Sequence, residues 1–326
     1  MVAVMGYGDG YGLVRCGRGH VHSGRHGAAG LLVYYRDSGG RPHLLLQQRA
    51  MWGPGGGTWG LFGGGRHGDE DAVAAALRET AEECTLEVSA VRLHGVLSDD
   101  HGGWTYHTVV GSLGGRAPVR PASMESRDAA WVRADEVERL RLFAPFAESW
   151  SRLRETALTR LTLVIDAANV MGSRPDGWWR DRRAAATRLR DRLGRLRAAG
   201  IAHPPFDVCY PEVVLVVEGA ARGIGPSGAD GADGAGGAAG GGVRVVAARG
   251  SGDDAIVDVV SARAEGVSYL VVTADRELRA RCAEAAADVV GPRWLLDRLD
   301  RLDRLDGLDR QDRRERTDRS GRSDPP

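Results

Sequence analysis

Two apolar runs, AAGLLVYY at residues 28 to 35 and HLLLQQ at 43 to 48, flank the turn-forming DSGGRP and predict a β-hairpin. From Asp69 to Glu83 apolar positions recur at Val73, Ala76, Leu77, Thr80 and Ala81, the spacing of one buried helical stripe. Strands are predicted over 87–97, 106–113 and 129–132, with a helix opening near Asp135 and another from Pro145 to about Thr156. Residues 27–157 thus read as a mixed α/β domain. The pattern then changes. LTLVID (161–166) is followed by a charged helix from about Trp179 to Ala199, then VVLVVEG, VRVVAA, a helix from Asp253, YLVVTAD, a further helix and DVVG. Apolar strands alternating with helices predict a doubly wound parallel sheet over residues 160–299. Residues 1–26 form an N-terminal extension. Residues 223–242, rich in Gly, Ala and Asp, have little to bury and are expected to be a disordered insertion. Residues 300–326 carry a Leu-Asp-Arg repeat and read as a charged low-complexity tail, a helix fraying into disorder.

A chain of 326 residues has room for two such domains. Its formal net charge is zero, so no global basic field favours nucleic acid or an anionic membrane, and any polyanion site must be local. No apolar run is long enough to span a bilayer, and MVAVMGYGDGYG lacks the regions of a signal peptide, so a soluble cytoplasmic protein without a membrane partner is expected. The four cysteines lie far apart without a CxxC, which fits reduced thiols. Every Lys/Arg position is arginine, a sign of GC-rich coding bias that makes arginine counts weak functional evidence.

GGGRHGDEDAVAAALRETAEECTL (63–86) places Glu79, Glu82 and Glu83 at i, i+3 and i+4, on one helical face. Carboxylates so close repel, and a hard divalent cation, Mg²⁺ or Mn²⁺, would hold them ionised. A solvated acidic face paired with arginines is the alternative. The spacing Gly64, Glu70, then Arg78-Glu79-Thr80-Ala81-Glu82-Glu83-Cys84-Thr85-Leu86 resembles the Nudix box, and LLLQQRAMWGPGGGTWGLFGGG resembles the strand and loop before it in MutT-like members. The resemblance covers about residues 27–155. It implies an α/β/α sandwich with a mixed sheet, and hydrolysis of a nucleoside diphosphate linked to a group X. Glu79, Glu82 and Glu83 would be the metal ligands, assisted by the Gly64 carbonyl and Glu70. Arg78 would orient the glutamates, and Glu125 would be an extra ligand or the base. Thr80 stands where an aliphatic residue is usual, Thr85 where a left-handed glycine is usual, and Phe62 where proline is usual. A rival class is a nucleotide sensor that binds without turnover and regulates the second domain. The aromatic and histidine residues of DDHGGWTYHTVV (99–110) could stack on a base, but a core-facing strand explains them equally.

In the second half, Asp166 ends a strand with Asn169 three residues on, Asp253 and Asp254 open a helix with Asp258 one turn later, and Asp275 ends another strand. Carboxylates at strand ends of a doubly wound sheet can meet at one edge; helix capping is the competing explanation. VIDAANV, GDDAIVDVV and VVTADREL resemble the NYN branch of PIN-like nucleases, which implies Mg²⁺ or Mn²⁺ on Asp166, Asp254 and Asp275, with Asn169, Asp253 and Asp258 in support and Glu218 a weaker candidate. The implied activity is cleavage of single-stranded RNA; a non-catalytic RNA-binding or interaction module is the alternative. Trp178, Trp179, Arg180, Arg182 and Arg183 could stack on bases and contact phosphates, or simply start a helix. Cys16, His20, His22 and His26 in CGRGHVHSGRH could hold zinc, although the spacing matches no standard finger, and a glycine-rich approach segment is the alternative. Homodimer or monomer stays open.

Overall fold

The computed structural model describes residues 12–226, 242–262 and 264–320. They form two compact units, one built from residues 12–160 and 200–210, the other from 161–199, 211–226 and the described residues from 242 onward.

The first unit opens with a short antiparallel hairpin, β1 (Leu13–Arg15) and β2 (Val21–Ser23). There follow β3 (Ala28–Arg36), β4 (Pro42–Arg49), β5 (Trp59–Gly60), β6 (Phe62–Gly65), α1 (Ala72–Glu83), β7 (Arg92–Asp100), β8 (Thr105–Ser112), β9 (Ser126–Arg133) and α2 (Ala144–Thr156). The chain then enters the second unit through β10 (Arg160–Asp166), α3 (Ala167–Gly172) and α4 (Arg182–Ala199). It returns to the first with β11 (Ile201–His203) and β12 (Phe206–Cys209), whose hairpin adds to β7 as an edge of the sheet. The expected uninterrupted second domain over 160–299 is corrected here: residues 200–210 pair with the first sheet. The apolar face of Phe206 meets Gly95, where any side chain would collide with its ring.

The first sheet is mixed, in the order β11-β12-β7-β8-β3-β4-β5, with β6 on β3 and β9 on β4. β3 runs parallel to β8 and antiparallel to β4 and β6. α1 packs across β3 and β6, burying Ala75 and Ala76 among Leu31, Val33, Leu45, Phe62 and Val109. Each fully buried Leu or Phe there contributes about 1.5–3 kcal/mol relative to exposure. The helix starts at Ala72, later than expected, because the Asp71 carboxylate accepts the Ala74 N–H and caps the first turn. Thr80 is fully buried at an aliphatic position; its hydroxyl donates to the Ala76 carbonyl, so the extra polar atom is satisfied. Thr85 is not left-handed: Cys84 leaves the helix extended and bridges Pro121, and the Thr85 hydroxyl accepts the Arg120 N–H. The helix expected near Asp135 is a single 3₁₀ turn, Val137–Arg139.

The second unit continues with β13 (Glu212–Val217), β14 (Arg244–Ala247), α5 (Gly252–Ser261), β15 (Val267–Val272), α6 (Arg276–Glu284), β16 (Asp288–Val290) and α7 (Pro292–Ser320). Its sheet has the order β14-β13-β10-β15-β16, with β10, β13 and β14 mutually parallel and β15 parallel to β16. Val164, Val214, Val216 and Val271 pack against α5 and α6. The alternating neighbours Leu163, Ile165, Val213 and Leu215 are buried as well, which is why these strands read as unbroken apolar runs. α7 continues past residue 300 to Ser320, and its repeat is matched to α4 as far as Asp306. Asp300 pairs with Arg174 and Arg192, Asp303 with Arg192 and Arg195, and Asp306 with Arg195. Residues 321–326 of the tail and 227–241 of the glycine-rich segment lie outside the described residues.

Candidate functional site

In the first unit, the last two turns of α1 face the β3–β6 pair. Arg78 is the hub. Its Nε and Nη2 donate to the two oxygens of Glu70 at 2.8 and 2.9 Å, Nη1 donates to Glu79 at 2.7 Å, and Nη2 also donates to the Gly65 carbonyl at 3.0 Å. Glu82 lies 3.5 Å from Nη1, with 60% of its side chain exposed. Glu70 is thus committed to Arg78 and to the His67 N–H, and the Arg78 guanidinium holds its carboxyl below the usual range. In this arrangement Glu70 anchors Arg78. The Glu79 carboxylate lies so close to Gly64 that a Cβ there would overlap it, which ties the glycine to the acidic helix.

Glu83 is 7% exposed. Burial, then the like charges of Glu79 and Glu125, push its carboxyl up to about 8. Burial likewise raises Glu79, partly offset by Arg78. Glu125 is exposed, and its charge reaches both glutamates. Glu79 feels the charges of Glu82 and Glu125, and Glu83 those of Glu79 and Glu125, so these hard oxygen donors lie in one field of mutual repulsion, the condition that a divalent cation relieves. The donor set fits Mg²⁺ or Mn²⁺.

Sequence reasoning missed the support beneath Glu83. Gln47 Nε2 donates to Glu83 at 3.2 Å and to the Leu61 carbonyl at 2.8 Å, while its Oε1 accepts the Ser126 hydroxyl at 2.6 Å. The signal was present: Gln47 is a polar residue at the buried end of the apolar run on β4.

In the second unit, the order of strands reverses between β10 and β15, the place where an open parallel sheet leaves a crevice at strand carboxyl ends. Asp166 ends β10 there: one oxygen accepts the Asn169 N–H and the other the Thr273 hydroxyl, both at 3.0 Å. Asn169 accepts the Ala274 N–H at 2.9 Å, and the Asp275 N–H donates to Thr273. Burial raises Asp166, opposed by these hydrogen bonds and reinforced by Asp253 and Glu218. Burial and then the charge of Asp275 raise Asp253, with Glu218 adding to it. Asp166, Glu218, Asp253 and Asp275 thus share one field. Asp254, expected as a ligand, pairs with Arg281 at 2.7 Å, and Asp258 is exposed one turn away. Helix phase separates their partners: Asp253 and Asp254 differ by about 100° around α5. Trp178 and Trp179 meet edge to face in a 3₁₀ turn, with Arg182 over the Trp178 ring at 5.2 Å; Trp179 and Arg180 are exposed.

In the N-terminal segment, Cys16, His20 and His22 come together with His101, a residue not grouped with them in the sequence. His26 is exposed and takes no part in the cluster.

No helix among the described residues is long and apolar enough to cross a membrane. The NUDIX domain family matches residues 24–153. A Mycobacterium tuberculosis protein provisionally named 8-oxo-dGTP diphosphatase 3 is 40% identical over 158 residues, 47% of this chain and 72% of that protein. A Bifidobacterium longum nucleoside triphosphate pyrophosphatase/Nudix hydrolase fusion protein is 36% identical over 149 residues, 44% of this chain but only 30% of that protein. Among solved structures, a Nudix hydrolase from M. smegmatis is 38% identical, with a TM-score of 0.42, over 44% of this chain and 92% of its own. On the match of residues 24–153 and the relatedness to the Mycobacterium tuberculosis protein, the chain belongs to the Nudix family.

Proposed function

We propose that the first unit is a Mg²⁺-dependent hydrolase of a nucleotide pyrophosphate bond, with a nucleoside triphosphate as the substrate class. The observation that carries this reading is Arg78, anchored by Glu70, paired with Glu79 beside Gly64 and with Glu82, while Glu83 lies in the field of Glu79. A bound cation would neutralise pyrophosphate oxygens and lower the pKa of a bound water. Glu79, Glu82 and Glu83 would hold it. Arg78 fixes the rotamer of Glu79, so the ligand set is organised before substrate arrives. Gln47 holds Glu83 in a buried position from which it binds only as a carboxylate. Glu125, exposed and close enough in charge to act on Glu79 and Glu83, would take the proton of the attacking water at its carboxylate or serve as an extra ligand.

The name of the Mycobacterium tuberculosis relative makes oxidised purine triphosphates the first substrates to assay. The test measures nucleotide product and its co-product (pyrophosphate from nucleoside triphosphates, a second nucleotide from dinucleoside polyphosphates, ribose 5-phosphate from ADP-ribose), for wild type and Glu82→Gln. Turnover that falls by orders of magnitude in the variant supports the reading. Tight nucleotide binding with no turnover of any substrate would replace it with a sensor.

A second reading concerns the other unit, which we infer to be a PIN-like, NYN-type nuclease domain acting on single-stranded RNA. What supports it is the gathering of Asp166, Glu218, Asp253 and Asp275 around the crevice between β10 and β15. These carboxylates also suit a divalent cation, with Asn169 and Thr273 setting the Asp166 rotamer. RNA cleavage by wild type that disappears in Asp166→Asn while RNA binding persists supports the nuclease; binding without cleavage in both makes it a binding module.

A further inference from the structure

We propose that Cys16, His20, His22 and His101 form a structural zinc site that pins the β1–β2 hairpin to the turn between β7 and β8. One donor atom from each of the four residues lies within 4.8 Å of the others, and Cys16 Sγ stands 4.0 Å from His101 Nδ1. Tetrahedral zinc, with Zn–S of about 2.3 Å and Zn–N of about 2.0–2.1 Å, sets such donors roughly 3.4–3.6 Å apart, so a small rotation of the side chains closes the shell.

Three further observations point to a metal. His22 Nε2 is buried and has no hydrogen-bond partner, although its ring is fixed by stacking on Trp104 at 3.8 Å. An orphaned buried nitrogen is costly unless something occupies its lone pair. His101 Nε2 donates to Asp99 at 3.1 Å, which sets the tautomer that leaves Nδ1 free towards Cys16, the outer support usual for metal-bound histidine. Asp99 is held in turn by Arg18, from the same tight turn that carries Cys16 and His20, at 3.0 Å. That turn is closed by the Cys16 and Gly19 N–H groups, bonded to the His20 and Cys16 carbonyls, so the first two donors are set by backbone geometry.

The donor set selects the ion. One thiolate and three imidazoles are soft to borderline ligands that suit zinc over Mg²⁺, and four protein ligands leave no open position for catalysis. The need for it is also visible. β1 and β2 have three residues each, Leu13 and Val21 are exposed, and the local apolar cluster is little more than Cys16, Ala28 and Trp104. A two-stranded hairpin with so little to bury is marginal by itself.

The test uses the full-length chain, stripped of metal with a chelator, desalted and reloaded with zinc or cobalt. The expected result is one zinc retained per chain by mass spectrometry of the metal, and a thiolate-to-cobalt charge-transfer band with intense tetrahedral d–d bands after cobalt loading. Both should be lost in Cys16→Ser and in His101→Asn, and kept in His26→Asn and in Glu82→Gln. The wild-type cobalt spectrum needs no variant to fold, so it stands alone as a readout. No retained zinc, a cobalt spectrum without thiolate character, or zinc retention that survives Cys16→Ser would each overturn the site.

Discussion

Arg78 grips both carboxylate oxygens of Glu70, eight residues earlier in the chain, while its remaining Nη1 hydrogens reach Glu79 and Glu82. One guanidinium thus joins the loop after β6 to the acidic face of α1. Its planar fork is what the geometry uses, and an ammonium has no equivalent. Arg78→Lys is therefore expected to lower kcat about 10–100-fold, the range for loss of a ligand-orienting partner, with the fold intact. Glu70→Gln should act on the same interaction, so the double variant is expected to be little worse than either single. Additive losses in steady-state kinetics would refute the shared role.

On the proposed reading, Glu83 would make cation binding depend on pH. In the cation-free protein its carboxyl is raised from 4.5 to about 8, first by burial and then by Glu79 and Glu125. The folded state then holds the proton over a range in which the unfolded chain has lost it, so this group's contribution to stability falls as pH rises from about 4.5 to 8. Binding a cation must displace that proton. Mg²⁺ affinity should climb up to about pH 8, and calorimetry at pH 7 in buffers of different ionisation enthalpy should register proton release. Buffer-independent heats would contradict the assignment.

Gln47→Leu removes an amide that serves the Leu61 carbonyl, Glu83 and Ser126. Leaving such groups unpaired in the interior costs about 1–3 kcal/mol each at most, so a loss of roughly that size is expected in chemical denaturation. Ser126→Ala should cost less, because Gln47 keeps its two donor contacts. An equal loss in both would show that the cost arises elsewhere.

Asp300 is held to about 2 by Arg174 and then Arg192, so its ion pairs contribute above its ordinary pKa of 3.8 and are lost as pH falls towards 2. The protection of α7 amides against hydrogen exchange, relative to their intrinsic rates at each pH, is expected to fall over that window in wild type. In Asp300→Asn it should already be several-fold lower at neutral pH, corresponding to about 1 kcal/mol. Protection factors in wild type that do not change over that window would remove the ion pairs from the docking of α7.

Asp166 and Asp253 repel within one field. Asp253→Asn should raise the thermal midpoint of the cation-free protein and weaken Mn²⁺ binding to the second unit, a trade expected of a site built for a cation and not of helix caps alone. Asp254→Asn, which breaks only the exposed pair with Arg281, should change Mn²⁺ binding little. Equal effects of the two, read by Mn²⁺ titration in a Glu82→Gln background, would remove the distinction between them.

The periodicity of residues 69–83 was enough to place Glu79, Glu82 and Glu83 on one face, because helical spacing is a local property with a fixed angle per residue. Continuous apolar runs ending in Asp166 and near Asp275 likewise disclosed strands buried on both faces. Other relationships depend on partners distant in the chain. Nothing local distinguishes Asp253 from Asp254; the packing of α5 turns one towards Asp275 and the other to Arg281. The IAHPPFDVC hairpin lies inside the segment of the second unit, yet pairs with β7, since a strand joins whichever open edge it can reach. The Leu-Asp-Arg repeat reads as low complexity until the arginines of α4 are brought opposite it. His101 joins Cys16, His20 and His22 only because the β7–β8 turn comes back to the hairpin. Local spacing thus determined the elements and the acidic face of α1, whereas the tertiary structure decided which distant charges, imidazoles and strand edges meet, because those contacts depend on how the elements pack and not on sequence separation.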